Sequence, residues 1–582
     1  MTSADYRVRV LPEAHEVEVE LSLTGLPAGP IRLRTPTWVP GAYGFMKYGR
    51  DLFDVKAFDP ASGRELHLVR EGWSGFRVEG ASGALRVGFK AYAFDPAWGE
   101  LVGLIGHDQA LLLATHFLFA PAHSGPCRVE YLLPEGWDLH HPSGARRQGE
   151  RTWEYPSFAV LLDTPIVAGR FERRTRTIAG TPFHFVFLDE ALGMKARVEA
   201  FIGALERIAE GCRALFGGFP FEDYSFLFTF DPQAHWGLEH ANATTIALSD
   251  ELFIDDDAWA QGLRVCAHEL FHAWNVCRLK PAPLGAPDLE GGSFPDALWV
   301  SEGITRYYEF LLLVRARAIT GQDFFANVVN YYRQLESHPA FRRVSLLDSS
   351  RATFLNHNKY PGSINATIDY YDKGMLVAFD LDVALRAAGS QSGRPDRLDA
   401  ALAELYRTHV GRGDGLRHDE AKAFFAQRLP QARELLEREV ERPGELGVIA
   451  SLRALGFEVE ERPVPRLGLV FSEKTPAQIA NVADDSPAGR SGIAPLDVVE
   501  RVNGFPFKPK ALAWATASEP TVALQVKRGA RSLVFSIAPE PRSQIASLVW
   551  RGTEDQLARI RSWLERPDFD PRPGEAFSLA PF

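Results

Sequence analysis

One five-residue string, H-E-L-F-H at residues 268–272, constrains this 582-residue chain more than any other feature. The string lies in a stretch whose apolar residues recur with helical spacing, and residues four apart lie on one face of a helix. His268 and His272 can therefore reach one ion together, while Glu269 lies beside them with its carboxylate away from the metal. The string predicts a helix that supplies two ligands of a metal site.

A second string, W-V-S-E-G-I-T-R-Y-Y-E at residues 299–309, predicts the start of another helix. Catalytic zinc sites often combine two histidines with one carboxylate and keep the fourth position for water. We therefore expect Glu302 to be the third ligand of a Zn²⁺ ion. Glu309 lies seven residues further along the same face, where it either orients a ligand histidine or is an ordinary exposed carboxylate.

The periodicity of apolar residues changes along the chain and divides it into four parts. Short alternating runs separated by Gly and Pro turns predict strands, and longer runs with a period near 3.6 predict helices. The last helix is expected to begin at Thr553, with Gln556 completing a capping box. The expected parts are an antiparallel β domain (residues 1–172), a mostly helical catalytic domain (173–460), a small β-rich module (461–542) and a helical tail (543–582).

Several strings together resemble one known family. H-E-L-F-H-A-W-N-V-C-R-L-K-P at residues 268–281, followed by the string at 299–309, resembles the glycyl aminopeptidase family of gluzincins, metallopeptidase family sixty-one. T-W-V-P-G-A-Y at 37–43 is similar to the amino-terminal W-x-P-G-x-Y motif of that family. G-L-E-H at 237–240 and Y-Y-D-K-G at 370–374 resemble its G-L-E-H and Y-x-K-G strings. The family is distantly similar to the aminopeptidase N group.

The resemblance implies a multi-domain α+β protein, with an N-terminal antiparallel β domain, a thermolysin-like, mostly helical catalytic domain and a C-terminal PDZ domain. It implies a zinc aminopeptidase that removes glycine or alanine from peptides. Glu269 is then the general base that activates water. Tyr371 is expected to donate a hydrogen bond to the oxyanion, and Glu239 to hold the ammonium group of the substrate. Gly237 and His240 belong to the strand that is expected to line the substrate cleft.

The PDZ expectation rests on three strings near the end of the sequence. R-L-G-L-V at residues 466–470 resembles a carboxylate-binding loop, and residues 485–493 and 497–504 follow in the order that such domains show. The loop either binds the carboxyl end of a peptide with its backbone N–H groups or only packs against its neighbours.

Composition limits the partners and the location that we expect. A net charge of −11 argues against binding to nucleic acid or anionic lipid and fits a small neutral or cationic ligand better. The partners that the resemblance implies are peptides. No segment has the roughly 18 apolar residues of a membrane span, and the first ten residues lack the apolar core of a signal peptide. We expect a cytoplasmic protein.

Other functions agree with part of the sequence. A PDZ-assisted zinc endopeptidase would use the same metal site and leave Glu239 without a role. A non-catalytic zinc and PDZ binding protein would have no use for the free carboxylate of Glu269. Epoxide hydrolysis of the leukotriene hydrolase kind shares the zinc site and has no further support in the sequence.

Overall fold

The computed structural model describes residues 3–27, 29–95, 99–188, 193–231, 234–356, 360–392, 396–472 and 474–579. The chain divides into two units, Met1–Ser293 with Tyr406–Gly415, and Phe294–Leu405 with Leu416–Phe582.

The first unit begins with a β domain whose strands alternate buried and exposed residues. In the first strand Tyr6, Val8 and Val10 are buried and the residues between them are more exposed, so one face of the sheet covers the apolar core. The strands are β1 (Ser3–Leu11), β2 (Glu16–Thr24), β3 (Ile31–Arg34), β4 (Leu52–Phe58), β5 (Glu65–Arg70), β6 (Gly75–Glu79), β7 (Ala84–Tyr92), β8 (Leu104–Ile105), β9 (Gln109–Leu112), β10 (Cys127–Leu132), β11 (Asp138–His140), β12 (Arg146–Gly149), β13 (Thr152–Tyr155) and β14 (Ile166–Gly169). Two short helices, α1 (Gly99–Val102) and α2 (Phe158–Leu162), lie between them.

These strands form two sheets, and one pairing differs from the prediction. Ten strands follow the order β12-β13-β10-β1-β2-β7-β4-β5-β6-β3, and four follow β11-β14-β9-β8. The expected antiparallel domain is wrong at one place, because β1 and β10 pair in parallel, with Tyr6 opposite Val129. The alternation of buried residues within one strand does not reveal whether its neighbour is parallel or antiparallel, so the sequence pattern could not show this pairing.

A mixed sheet and two long helices complete the described elements of the first unit up to residue 293. The sheet has the order β15-β16-β17-β19-β18, and its central strand β17 runs parallel to both neighbours. The last helix packs on β18 and β19 at one end of this sheet. The elements are β15 (Glu172–Ile178), β16 (Thr181–Phe187), α3 (Lys195–Phe216), β17 (Tyr224–Phe230), β18 (His235–Glu239), β19 (Ala243–Leu248) and α4 (Asp256–His272).

Helices dominate the chain from residue 299 to residue 455. A π-helical turn, Trp299–Ile304, leads into the first of them. The helices are α5 (Thr305–Arg315), α6 (Gly321–Ser337), α7 (Leu346–Arg351), α8 (Thr353–Asn356), α9 (Ser363–Ala366), α10 (Tyr370–Ser392), α11 (Leu398–His409), α12 (His418–Arg428), α13 (Gln431–Glu439) and α14 (Val448–Leu455). The π-helical turn and α10 pack closely against each other in the second unit.

The small C-terminal module is inserted into a β-hairpin of the second unit. The hairpin strands β20 (Phe457–Arg466) and β27 (Glu540–Trp550) are antiparallel, and Arg466 lies opposite Glu540 where the module begins and ends. Residues 543–550, predicted as part of a helical tail, therefore form a strand. The inserted elements are β21 (Leu469–Phe471), β22 (Ile479–Val482), α15 (Pro487–Ser491), β23 (Val498–Val502), β24 (Phe505–Pro506), α16 (Pro509–Ser518), β25 (Val522–Arg528) and β26 (Arg531–Ile537).

The last helix, α17 (Glu554–Leu564), returns to the helical part of the second unit. Its predicted capping box is confirmed, because Thr553 and Gln556 each bond to the backbone of the other. The indole of Trp563 is buried against Phe324 and Phe379, and its Nε1 donates to the hydroxyl of Tyr307 at 3.1 Å. The helix thus belongs to the core of that unit.

Candidate metal centre and substrate strand

The two histidines of the H-E-x-x-H string lie side by side on α4. Their ring centroids are 4.5 Å apart and both side chains are buried, as expected for positions four apart on one helix face. The Nδ1 of His272 donates to the carbonyl of Asn275 at 2.8 Å. This bond assigns the proton to Nδ1 and the electron pair to Nε2, which is the arrangement of an imidazole that binds a metal. The pair therefore fits a divalent ion such as zinc.

Glu269 is buried between the histidines of α4 and the strand β18. Gly237 of β18 lies against it so closely that an added Cβ would come 2.5 Å from Cγ and 3.0 Å from Oε1 of Glu269. Real Cβ atoms are not found at such distances, so a larger residue at position 237 would displace this carboxylate. The glycine of the G-L-E-H string is thus explained by the room that Glu269 needs.

Glu239 lies on the same face of β18 as Gly237, because side chains two residues apart on a strand point the same way. Its carboxylate is buried, and one ligand atom each of Glu239, Glu269 and His272 lie within 4.8 Å of one another. Burial raises the pKa of Tyr224 well above its usual value, and the negative charges of Glu269 and Glu239 raise it further. The two buried carboxylates beside His272 favour a cation at this site.

His240 follows the strand and is held by the loop after α2. Its Nδ1 donates to the carboxylate of Asp163 at 3.2 Å, and the same carboxylate accepts from the backbone of Ala241 at 3.0 Å. Alternation places His240 on the strand face opposite Glu239. Asp163 therefore anchors His240 at the end of the strand. The expected contact of His240 with substrate stays a prediction.

Arg278 was not singled out from the sequence, although it lies in the string that carries the family resemblance. Its guanidinium donates to the carbonyl oxygens of Ala241 and Ala273, both at 2.8 Å, and to the side chain of Asn242 at 2.9 Å. The arginine thereby ties the end of β18 to the end of α4, which fixes Glu239 relative to His272.

In the second unit, Glu302 lies in the π-helical turn and its side chain is 1% exposed. The next residue, Gly303, contacts the backbone of Gly374 in α10, where an added Cβ would come 2.4 Å from the Gly374 Cα. Because Gly303 and Gly374 have no side chains, the two helical segments can cross with their backbones in contact. The crossing holds Glu302 close to the start of α10.

Two tyrosines occupy the start of α10, and they differ in burial. Tyr370 is buried and shares a hydrogen bond of 2.8 Å with the hydroxyl of Thr353. Burial, and then the charge of Glu302, raise the pKa of Tyr370 far above its ordinary value. Tyr371 stacks on Tyr370 with ring centroids 4.8 Å apart and is only partly buried. Tyr371 is thus the more accessible of the two.

Glu309 is buried on α5, which excludes the expected alternative of an exposed helix carboxylate. Arg306 approaches Glu309 at 3.7 Å and Asp372 at 3.8 Å, and its guanidinium lies 5.3 Å from the ring centroid of Tyr371. Sequence reasoning did not single out Arg306, which links the residues of α5 to those of α10. The role of Glu309 beside a ligand histidine stays a prediction.

Comparison with known families agrees with this arrangement. Residues 261–377 match the model of the M61 glycyl aminopeptidase, and residues 5–170 match the model of the Peptidase M61 N-terminal domain. The chain therefore contains an M61 glycyl aminopeptidase domain and an M61 N-terminal domain. The resemblance seen in the sequence is confirmed, and this M61 protein is a metallopeptidase. The matched residues include His268, Glu269, His272, Glu302 and Tyr371, whereas Glu239 lies outside both matches.

One solved structure shares its fold with nearly the whole chain. A crystal structure of an aminopeptidase N family protein from Idiomarina loihiensis is similar with a TM-score of 0.85 at 20% identity, over 97% of this chain and 100% of that one. An M1 zinc metallopeptidase from Deinococcus radiodurans is similar with a TM-score of 0.43 at 17% identity, over 75% of this chain and 94% of that one.

A local similarity adds a third relative. Over 63 residues the chain is 41% identical to the serine protease HTRA3 of Homo sapiens, a match that spans 11% of this chain and 14% of that protein. Within the described ranges, no helix combines the length and the apolarity that crossing a membrane requires.

Proposed function

We propose that this M61 metallopeptidase is a zinc-dependent aminopeptidase that removes N-terminal residues, glycine or alanine, from peptides. One observation carries the proposal: Glu239, Glu269 and His272 offer ligand atoms within 4.8 Å of one another. Glu239, the proposed partner of the substrate ammonium, therefore lies beside Glu269, which is proposed to act on water, and beside His272, a proposed metal ligand. An endopeptidase has no need of the first of these groups.

His268, His272 and Glu302 are the proposed ligands of the zinc ion. The support is the fit of the histidine pair on α4, the burial of Glu302 and the position of all three within the residues that match the family model. When bound, zinc supplies a Lewis acid that polarises the scissile carbonyl and acidifies water.

Glu269 is the proposed general base. It accepts a proton from the attacking water and passes it to the amine that leaves, a role that contributes roughly 10² to 10⁴ in rate. Gly237 contacts Glu269 closely, and its lack of a side chain leaves the space that the Glu269 carboxylate occupies. Tyr371 donates a hydrogen bond to the oxyanion as it forms, because it is the more accessible tyrosine at the start of α10.

Glu239 is the proposed partner of the substrate's ammonium group. A charge-assisted hydrogen bond is about twice as strong as a neutral one, and only a peptide with a free amino end can form it. A blocked peptide would bury the carboxylate without replacing that bond, so discrimination also comes from a desolvation penalty. The burial of Glu239 beside a second carboxylate, Glu269, favours the same cation.

The decisive experiment compares an alanyl peptide with its N-acetylated form. We expect efficient release of alanine from the first and little cleavage of the second. Glu239→Gln is expected to raise KM for the free peptide and to reduce the preference, whereas Glu251→Gln, at an exposed carboxylate of the same unit, leaves both unchanged. Internal cleavage of the acetylated peptide at the rate of alanine release would establish the endopeptidase alternative instead.

We also propose that the inserted module is a PDZ domain that binds the carboxyl end of a peptide. A groove of about 750 Å³ supports this, since it lies between β21 and α16. Among the described residues β21 pairs with β22 alone, so its other edge can accept a peptide strand. The apolar lining includes Leu467, Leu469 and Phe471 on the strand side and Phe507 and Leu512 on the helix side.

Two peptides of equal sequence, one with a free carboxyl end and one amidated, test this binding by fluorescence anisotropy. We expect the amidated peptide to bind at least tenfold more weakly. Leu512→Glu is expected to abolish binding, while Trp514→Ala, at an exposed position of the same helix, keeps it. Equal binding of the two peptides would show that the groove does not read a carboxylate.

A further inference from the structure

A turn of the β domain lies against the carboxylate of Glu239. Gly41 of this turn has φ +94°, a conformation that favours glycine. A Cβ added to Gly41 would come 2.6 Å from Oε2 of Glu239 and 2.7 Å from Cδ1 of Leu238. The backbone of the turn therefore occupies the space directly beside the carboxylate.

The turn is held on the side that leads into it from β3. Trp38 is fully buried and its Nε1 donates to the carbonyl of Asp288 at 2.6 Å. The backbone N–H of Thr37 donates to Leu289 at 2.8 Å, and within the turn Ala42 donates to Val39 at 3.1 Å. These bonds leave the turn little freedom to withdraw from β18.

The strand beside the turn is held as well. Leu238 packs into the apolar core of the β domain, although it belongs to the sheet of the catalytic domain. Glu239 is thus enclosed between the backbone of the turn at Gly41 and the helix α4 with Glu269. The carboxylate is therefore covered on these two sides.

We propose that the turn at Gly41 is the wall that closes the substrate cleft beyond the amino end, and that Gly41 is a positioning residue for Glu239. The inference deepens the proposed aminopeptidase function and rests on it. The wall fixes the carboxylate where an ammonium group can reach it. The wall also leaves no room for an acyl group or a preceding residue on the substrate. The β domain, together with the strand β18, therefore makes the enzyme an exopeptidase.

Gly41→Ala tests the wall, because the added methyl group would displace the Glu239 carboxylate. We expect KM for an alanyl peptide to rise at least tenfold with a smaller change in kcat, and the preference over the acetylated peptide to shrink. Gly180→Ala is the matched control, since Gly180 has φ +89° and its Cβ would meet nothing within 4 Å. That variant bears the same backbone strain and is expected to keep KM within twofold.

A double-mutant comparison assigns the effect to Glu239. In a Glu239→Gln background, Gly41→Ala is expected to change KM less than twofold, because the charged partner is already lost. An unchanged KM in Gly41→Ala alone, or an equal rise in both backgrounds, would overturn the inference. If Gly41→Ala does not fold, Trp38→Phe loosens the turn by removing its bond to Asp288. An unchanged KM in that variant would overturn the inference equally.

The wild type separates this inference from the function on which it rests. If the wild type cleaves free and acetylated peptides equally, the aminopeptidase proposal and the wall fail together. If it prefers free peptides and the variants at Gly41 and Trp38 retain that preference, the wall alone fails.

Discussion

Gly303 and Gly374 lie backbone against backbone, so that a Cβ added to Gly374 would come 2.7 Å from the Cα of Gly303. Glu302 immediately precedes the first glycine, and Tyr371 lies one helical turn before the second. The distance between the π-helical turn that carries Glu302 and the helix α10 is therefore set by main-chain contact rather than by side chains that can adjust.

Gly374→Ala should disturb this contact. We expect a loss of about 1–3 kcal/mol in the free energy of unfolding, typical of overpacking, together with a lower kcat. Gly203→Ala is the control, since its Cβ on α3 would meet only the end of Arg207 at 3.9 Å, and alanine in a helix is favourable. Urea denaturation measures both. Equal stability of the two variants would show that the helices can separate without cost.

Glu269→Gln should keep the metal and lose turnover, because it removes the proposed base and preserves the histidines. We expect kcat to fall roughly 10² to 10⁴-fold with one zinc ion per chain retained. Glu302→Gln is the contrasting variant and is expected to lose metal. Elemental analysis together with kinetics distinguishes them, and loss of metal from Glu269→Gln would assign that carboxylate to the ion instead.

Tyr371→Phe and Tyr370→Phe remove one hydroxyl each at neighbouring positions. The first should lower kcat by about 10²-fold with little change in KM, as expected when a donor to the oxyanion is lost. The second should chiefly reduce stability, by about 1 kcal/mol, because the bond to Thr353 is lost. If only Tyr370→Phe reduced kcat, the roles of the two residues would be exchanged.

The lowered pKa of Lys373 predicts how the free energy of unfolding depends on pH. Burial lowers its pKa from 10.5 to about 8, and Glu439 only partly opposes this shift. Between pH 8 and 10 the unfolded chain keeps the proton that the folded chain has released, so stability gains up to about 3 kcal/mol as pH rises. Below pH 8 both states are protonated and this contribution is constant.

Denaturation at pH 7, 8, 9 and 10 in the wild type and in Lys373→Met measures the contribution of this lysine. We expect the wild type to gain more stability than the variant across this range. Lys527→Met, at an exposed position of β25, is expected to keep the wild-type slope. Parallel slopes in wild type and Lys373→Met would show that the lysine titrates as it does in water.

The sequence predicted elements wherever one local pattern determines the structure. His268 and His272 are four apart in a helical stretch, so α4 and the ring pair follow from the period of a helix. The capping box at Thr553 likewise depends on residues three apart. The alternation in β1 predicted a strand, but not its parallel partner β10, because a pattern within one strand does not identify its neighbour.

Contacts between distant segments could not be predicted in this way. The approach of Gly41 to Glu239 joins residues almost 200 positions apart, and both lie in strings whose spacing shows nothing of the other. Arg278 and Arg306 were overlooked because a single arginine in a helix or loop is usually a solvated charge, and only the fold shows what each one joins. Strings of the family pointed to the right segments, but not to the contacts between them.

The burial of Trp563 determines the order in which the chain can fold during its synthesis. Domains that leave the ribosome first generally fold first, so the β domain can form while the rest is still being made. The indole of Trp563 packs on Tyr307, Phe324 and Phe379, and it is translated some 180 to 260 residues after them. The segments that carry Glu302 and Tyr371 therefore reach their final packing only after Trp563 has been translated.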